Sequence, residues 1–85
     1  MVKYVTVTQK DIEEGIQLNV TECPFALAAR RVFKGYLVTV GGVLSVSREE
    51  GPYETWKLSD KANKFIHWFD SVGSGIPSKF RITKV

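Results

Sequence analysis

Three runs rich in β-branched and aromatic residues, Tyr36 to Val40, Val43 to Arg48 and Tyr53 to Leu58, are parted only by Gly41-Gly42 and by Glu49-Glu50-Gly51-Pro52. Parallel neighbours need a crossover of a dozen or more residues, so connections this short restrict the three runs to antiparallel pairing. Gly-Gly adopts the positive-φ turn that a two-residue hairpin demands. The centre of the chain is therefore expected to be an antiparallel meander, and every other element has to be placed around it.

On the N-terminal side, Val2 to Thr8 has the composition of a strand. Thr8 then caps a short helix, with Asp11 three residues on to reach back to the free amides. Ile12 and Ile16 lie four apart on one face, and Gly15 is expected to stop this helix as a left-handed residue. Pro24 suits the first turn of a second helix, where its missing N–H would have had no partner. Phe25, Ala28, Ala29 and Val32 follow with the spacing of a buried stripe. Arg30, Arg31 and Lys34 fall at its end, where the helix dipole favours cations, and Gly35 supplies the stop.

After the meander, Ser59-Asp60 opens a third helix with the stripe Ala62, Phe65, Ile66, Phe69 and Val72, the strongest periodic signal in the chain. Gly73-Ser74-Gly75 ends it, Pro77 blocks continuation, and Ser78 to Val85 reads as a last strand with Phe80 and Ile82 on one face. The order β-α-α-β-β-β-α-β describes one small α+β domain over residues 1–85, a mainly antiparallel sheet of about five strands with two or three helices on one face.

Composition narrows the chemistry. The 85 residues include one cysteine and one histidine, which excludes an internal disulfide framework and a zinc site of Cys or His type built within the chain. No cofactor is expected: Gly41-Gly42 lacks a following Gly-Lys-Ser/Thr, and Gly73 and Gly75 lack the third glycine of a dinucleotide loop. Lys3, Thr6 and Thr8 interrupt any leader-like apolar stretch, so the chain reads as cytoplasmic and not membrane-bound. For catalysis there is little to assemble. His67 flanks the apolar stripe of the third helix without a partner pattern. Cys23 could be a nucleophile at a helix start, although a small packed residue beside Pro24 explains it as well. No enzyme is expected.

Binding remains, in two forms. The net charge is +3, and its distribution is uneven: four acids and no base lie between Asp11 and Glu22. From Lys57 onward stand Lys57, Lys61, Lys64, Lys79, Arg81 and Lys84 against Asp60 and Asp70. Lys79 and Arg81 share the strand face opposite Phe80 and Ile82, so this basic C-terminal region could contact phosphates, with aromatic side chains stacking on bases. The other form is a protein interface. Trp68, Trp56 and Tyr53 exceed what a small core needs, and aromatic residues and arginines dominate interface hot spots. Trp68 is the sharpest candidate, lying off the main stripe of its helix, and Arg30 and Arg31 could set partner choice by charge. A meander also leaves sheet edges to be paired or protected, which keeps a homodimer open.

Three stretches taken together carry a resemblance. They are Thr8-Gln9-Lys10-Asp11-Ile12-Glu13-Glu14-Gly15, then Cys23-Pro24-Phe25-Ala26-Leu27-Ala28 followed by Arg30-Arg31, then Phe65-Ile66 with Phe69-Asp70 and Ile76-Pro77 before Phe80-Arg81-Ile82. In these the chain resembles a group of short, uncharacterised proteins of bacterial viruses and prophages. The resemblance implies a viral origin and an accessory protein that binds a host protein in the host cytoplasm, with inhibition of host defence in the manner of anti-CRISPR proteins as one such role. It implies no settled activity.

Overall fold

The computed structural model describes residues 1–47 and 53–85. Five strands and three helices follow in the expected order: β1 (Val2–Val7), α1 (Gln9–Glu14), α2 (Pro24–Val32), β2 (Leu37–Val40), β3 (Leu44–Ser47), β4 (Tyr53–Leu58), α3 (Asp60–Val72) and β5 (Ser78–Lys84). The expected turn over Glu49 to Pro52, and Arg48 before it, lie outside the described residues.

All strand pairs are antiparallel and the sheet order is β1-β5-β4-β3-β2. The last strand thus enters between the first strand and the meander, pairing Val5 with Phe80 on one side and Leu58 with Ile82 on the other. Alternation divides each strand. Val5, Val7, Val38, Val40, Leu44, Val46, Trp56, Leu58, Phe80 and Ile82 are buried on the inner face, while the residues between them point outward. The helix α2 packs against both β1 and β2, the two edges of the sheet. One helix reaches both edges only if the sheet curls around it. Buried Ala26, Ala28 and Ala29 permit that approach.

Local signals explain the helix ends. The Thr8 hydroxyl accepts from the Asp11 amide at 3.2 Å, and the Thr8 amide donates to Asp11 Oδ2 at 2.8 Å, a complete capping box. The strand β1 accordingly stops at Val7, one residue earlier than its composition suggests. In α3 the Ser59 hydroxyl accepts from Ala62 N–H at 3.2 Å, and Gly73 closes the helix at φ 80°. The Gln17 side chain joins that end to the loop before α2, donating to the carbonyls of Phe69 and Asp70 at 3.2 and 3.1 Å.

Several expectations are corrected. Gly15 ends α1 in an extended conformation (φ −69°, ψ 151°), not a left-handed one. It must be glycine because a Cβ there would come within 2.5 Å of the Pro24 ring. Ile16 is half exposed and does not continue the face of buried Ile12, because the helix has ended before it. The helix α2 stops at Val32, capped by Phe33, which leaves Lys34 beyond it; Gly35 takes φ 83° in the connection to β2. Between β2 and β3 the closing pair is Val40 with Leu44, so Val43 belongs to a three-residue loop. Neither Gly41 nor Gly42 has a positive φ. The longer loop does not need the mirror-image turn. In α3, Val72 is exposed at the last residue of the helix, so the buried stripe ends at Phe69.

Candidate functional site

Trp68 and Ile76 lie together on a groove of about 400 Å³ between α3 and the start of β5. Both are exposed, Trp68 by 59% and Ile76 by 81%. The floor is formed by the rings of Phe65 and Phe80, tilted against each other with centroids 5.1 Å apart. Phe80 is held from the other side by Phe25 of α2 at 5.6 Å, so the floor is continuous with the core. Gly75 brings the backbone onto the Phe65 ring. Lys61 and Lys64 line the groove from the first half of α3. The Lys61 ammonium lies 5.2 Å from the centre of the Phe80 ring and donates to the Lys79 carbonyl at 3.4 Å. The result is an apolar slot with cations at its edge.

The other aromatic candidates do not join Trp68. Trp56 is withdrawn from the surface set: it is 1% exposed, packs its ring 5.4 Å from that of Phe33, and donates its indole N–H to Glu54 at 3.2 Å. Its position follows from β4 alternation, which places it inward with Leu58. Tyr53 is exposed on the opposite, outer face of the sheet.

The arginine pair is engaged within the chain. Arg30 donates to Glu22 at 2.9 Å and to the Thr21 carbonyl at 2.7 Å. Arg31 grips both oxygens of Asp11, at 2.8 and 2.6 Å, and the Thr6 carbonyl at 2.8 Å. Burial pushes the Asp11 carboxyl up, but the Arg31 hydrogen bonds, the Thr8 amide and hydroxyl and the Arg31 charge outweigh it and hold the group below the ordinary carboxylate value. Arg31 fixes α2 to α1 and to β1, and Arg30 ties it to the loop that precedes it.

The basic residues separate into three places. Lys57, Lys79 and Arg81 share the outer face of the sheet; Lys61 and Lys64 belong to the groove; Lys84 lies at the far end of β5 with Nζ 4.0 Å from Glu54. A single basic C-terminal face does not form, because α3 lies across the inner side of the strands that carry the first set.

Cys23, His67 and Asp70 line a smaller depression of about 290 Å³. Its chemistry is unfavourable to a nucleophile. Cys23 is buried and serves as the N-cap of α2, its Sγ accepting from Ala26 N–H at 3.4 Å. Burial pushes its thiol up, the amides of Ala26 and Phe25 pull against that, and the negative charge of Asp70 pushes the same way as burial. Asp70 is itself engaged, accepting from Leu18 N–H at 3.0 Å. Among the described residues no group of three or more His, Cys, Asp or Glu side chains is placed to hold a metal ion, and no helix is long and apolar enough to cross a membrane.

Sequence periodicity passed over Phe65, Gly75 and Ile76 as site residues and left Tyr4 unremarked. Phe65 reads as an ordinary stripe position, and Gly75-Ile76-Pro77 has no period to reveal it. Tyr4 was accessible through alternation, since it lies on the opposite side of β1 from Val5 and Val7. Comparison of the chain with protein-family models, with curated proteins and with solved structures returned no match.

Proposed function

We propose that this is a non-enzymatic binding protein whose groove at Trp68 and Ile76 receives an apolar side chain of a partner protein. The observation that carries the reading is the exposure of these two large side chains over one aromatic floor. Leaving that area in water costs free energy that a partner recovers: at about 25 cal/mol per Å², covering an indole and an isoleucine is enough to anchor an interface around one hot spot. Lys61 and Lys64 at the edge favour a partner segment with carboxylates flanking its apolar residue. The suppressed thiol at Cys23 supports a binding role over a catalytic one.

The resemblance to short proteins of bacterial viruses supplies the setting. The partner is a host protein met in the host cytoplasm, and a component of host defence is the class to test first. Fold and origin do not themselves fix such a target. The test is capture from a nuclease-treated bacterial lysate by the wild-type protein and by Ile76→Asp. A discrete host protein retained by the wild type and lost with Ile76→Asp is expected. Equal retention by both proteins overturns the groove as the contact.

A further inference from the structure

We propose that the outer face of the sheet, separate from the groove, binds single-stranded nucleic acid. Every helix packs on the inner side, so the outer face of all five strands is uncovered. The register assembles its charges at one end. Lys79 and Arg81 alternate along β5, about 6.7 Å apart at two-residue strand spacing, and Lys57 of β4 pairs with Thr83, the next outward residue of β5. Tyr4 of β1 lies directly across from Arg81. Among the described residues, this face carries three cations and no carboxylate. Of the described acids, Asp11 and Glu22 pair with arginines on the helical side, Glu54 lies on the inward alternation of β4 beside Trp56 and Lys84, and Asp60, at the start of α3, lines one depression with Lys57, Arg81 and Thr83 at the margin of the face. None of Lys57, Lys79 and Arg81 has an ion-pair partner among the described residues.

The rest of the face fits a nucleotide chain better than a protein. Thr6, Thr39, Ser45, Thr55 and Thr83 supply hydroxyls, and the exposed aliphatic residues, Val2 and Leu37, lie on the edge strands, while the first residue of β4, Tyr53, adds a second exposed ring to that of Tyr4. Among the described residues no aliphatic cluster occupies the centre of this face, and its two tyrosines present flat rings on which bases stack. The Lys79 ammonium lies 4.8 Å from the centre of the half-exposed Tyr4 ring, which presents a cation and a π-face together. A nucleotide offers the matching pair, an anionic phosphate and a flat base. The sheet curls toward α2, so this face is convex and no helix projects from it. Such a surface cannot enter or enclose a duplex groove, whereas a single strand can lie across it.

The experiment is fluorescence polarisation of a labelled oligothymidylate titrated with the full chain at increasing salt. Three phosphate contacts on a single strand predict a log–log salt slope of about −2, a loss of about twentyfold between about 50 and 200 mM salt. The variant with Lys57→Glu, Lys79→Glu and Arg81→Glu is expected to lose binding, Tyr4→Ala to weaken it roughly fivefold or more, and Trp68→Ala to leave it unchanged. Replacement of the same three cations by Gln serves if charge reversal disturbs folding, with circular dichroism as the check. The proposal is overturned by no binding at low salt, by undiminished binding in the Gln variant, by a duplex of the same length bound as tightly as the single strand, or by polyglutamate competing as well as the oligonucleotide.

Discussion

Gly75 approaches Phe65 so closely that a methyl group on its Cα would come within 2.8 Å of the phenyl ring. Phe65 cannot retreat freely, because its other side meets Phe80 at 5.1 Å. Gly75→Ala should therefore tilt Phe65 and reshape the floor beneath Trp68. A partner held by this groove is expected to bind at least about tenfold more weakly, the equivalent of about 1.4 kcal/mol. The position lies at the rim of the core, so a melting temperature within a few degrees of wild type is expected. Isothermal titration with the captured partner, beside a thermal melt, checks both.

Asp11 ties three elements through one carboxylate, capping α1 while receiving the fork of Arg31 from α2, whose other contact is the Thr6 carbonyl of β1. Its folded-state pKa is depressed, so its contribution is fully present above the ordinary value of 3.8 and fades as pH falls through the lower folded value. Asp11→Asn is expected to cost about 1–3 kcal/mol at neutral pH and to flatten the acid limb of stability below about pH 4. Urea unfolding at neutral and acid pH measures this; parallel acid limbs in variant and wild type would contradict it.

Gly15 is required by a neighbour, not by its own backbone angles. A Cβ there would meet the Pro24 ring at 2.5 Å and the Asp11 carbonyl at 2.8 Å. Gly15→Ala should force α1 and α2 apart and destabilise the chain by about 1–3 kcal/mol, despite the small gain that alanine ordinarily brings through the unfolded state. Equal or raised stability in a denaturant titration would contradict the close approach.

Cys23 should behave as a packed residue. With its thiol buried and pushed up, it is expected to react with a thiol reagent only as fast as the chain opens, and at an ordinary rate in denaturant. Rapid modification of the native protein at neutral pH would return Cys23 to the list of functional groups.

What could be read from the sequence was local. Thr8 with Asp11, Pro24, Ser59 and Gly73 mark helix ends because each satisfies backbone groups within a few residues of itself, and those features alone order the elements. The inward place of Trp56 follows from two-residue alternation with Leu58, a signal that its size obscures. The insertion of β5 between β1 and β4 has no local trace, since Val5 and Phe80 are paired across almost the whole chain. The groove was half visible. Trp68 stands off its helix stripe, but Gly75 and Ile76 lie in a connection without a period and reach the site only through the packing of Phe65 on Phe80. The sorting of lysines and Arg81 onto separate faces likewise depends on register, not on composition.

The most direct test of the central claim is Trp68→Ala, measured for partner binding and for thermal stability on the same preparation. Loss of the captured host protein with a melting temperature close to wild type is the predicted result, because Trp68 is 59% exposed in the chain itself and the proposed partner would cover it. A large fall in melting temperature, or undiminished binding, would place Trp68 with the core and remove the groove as the functional site.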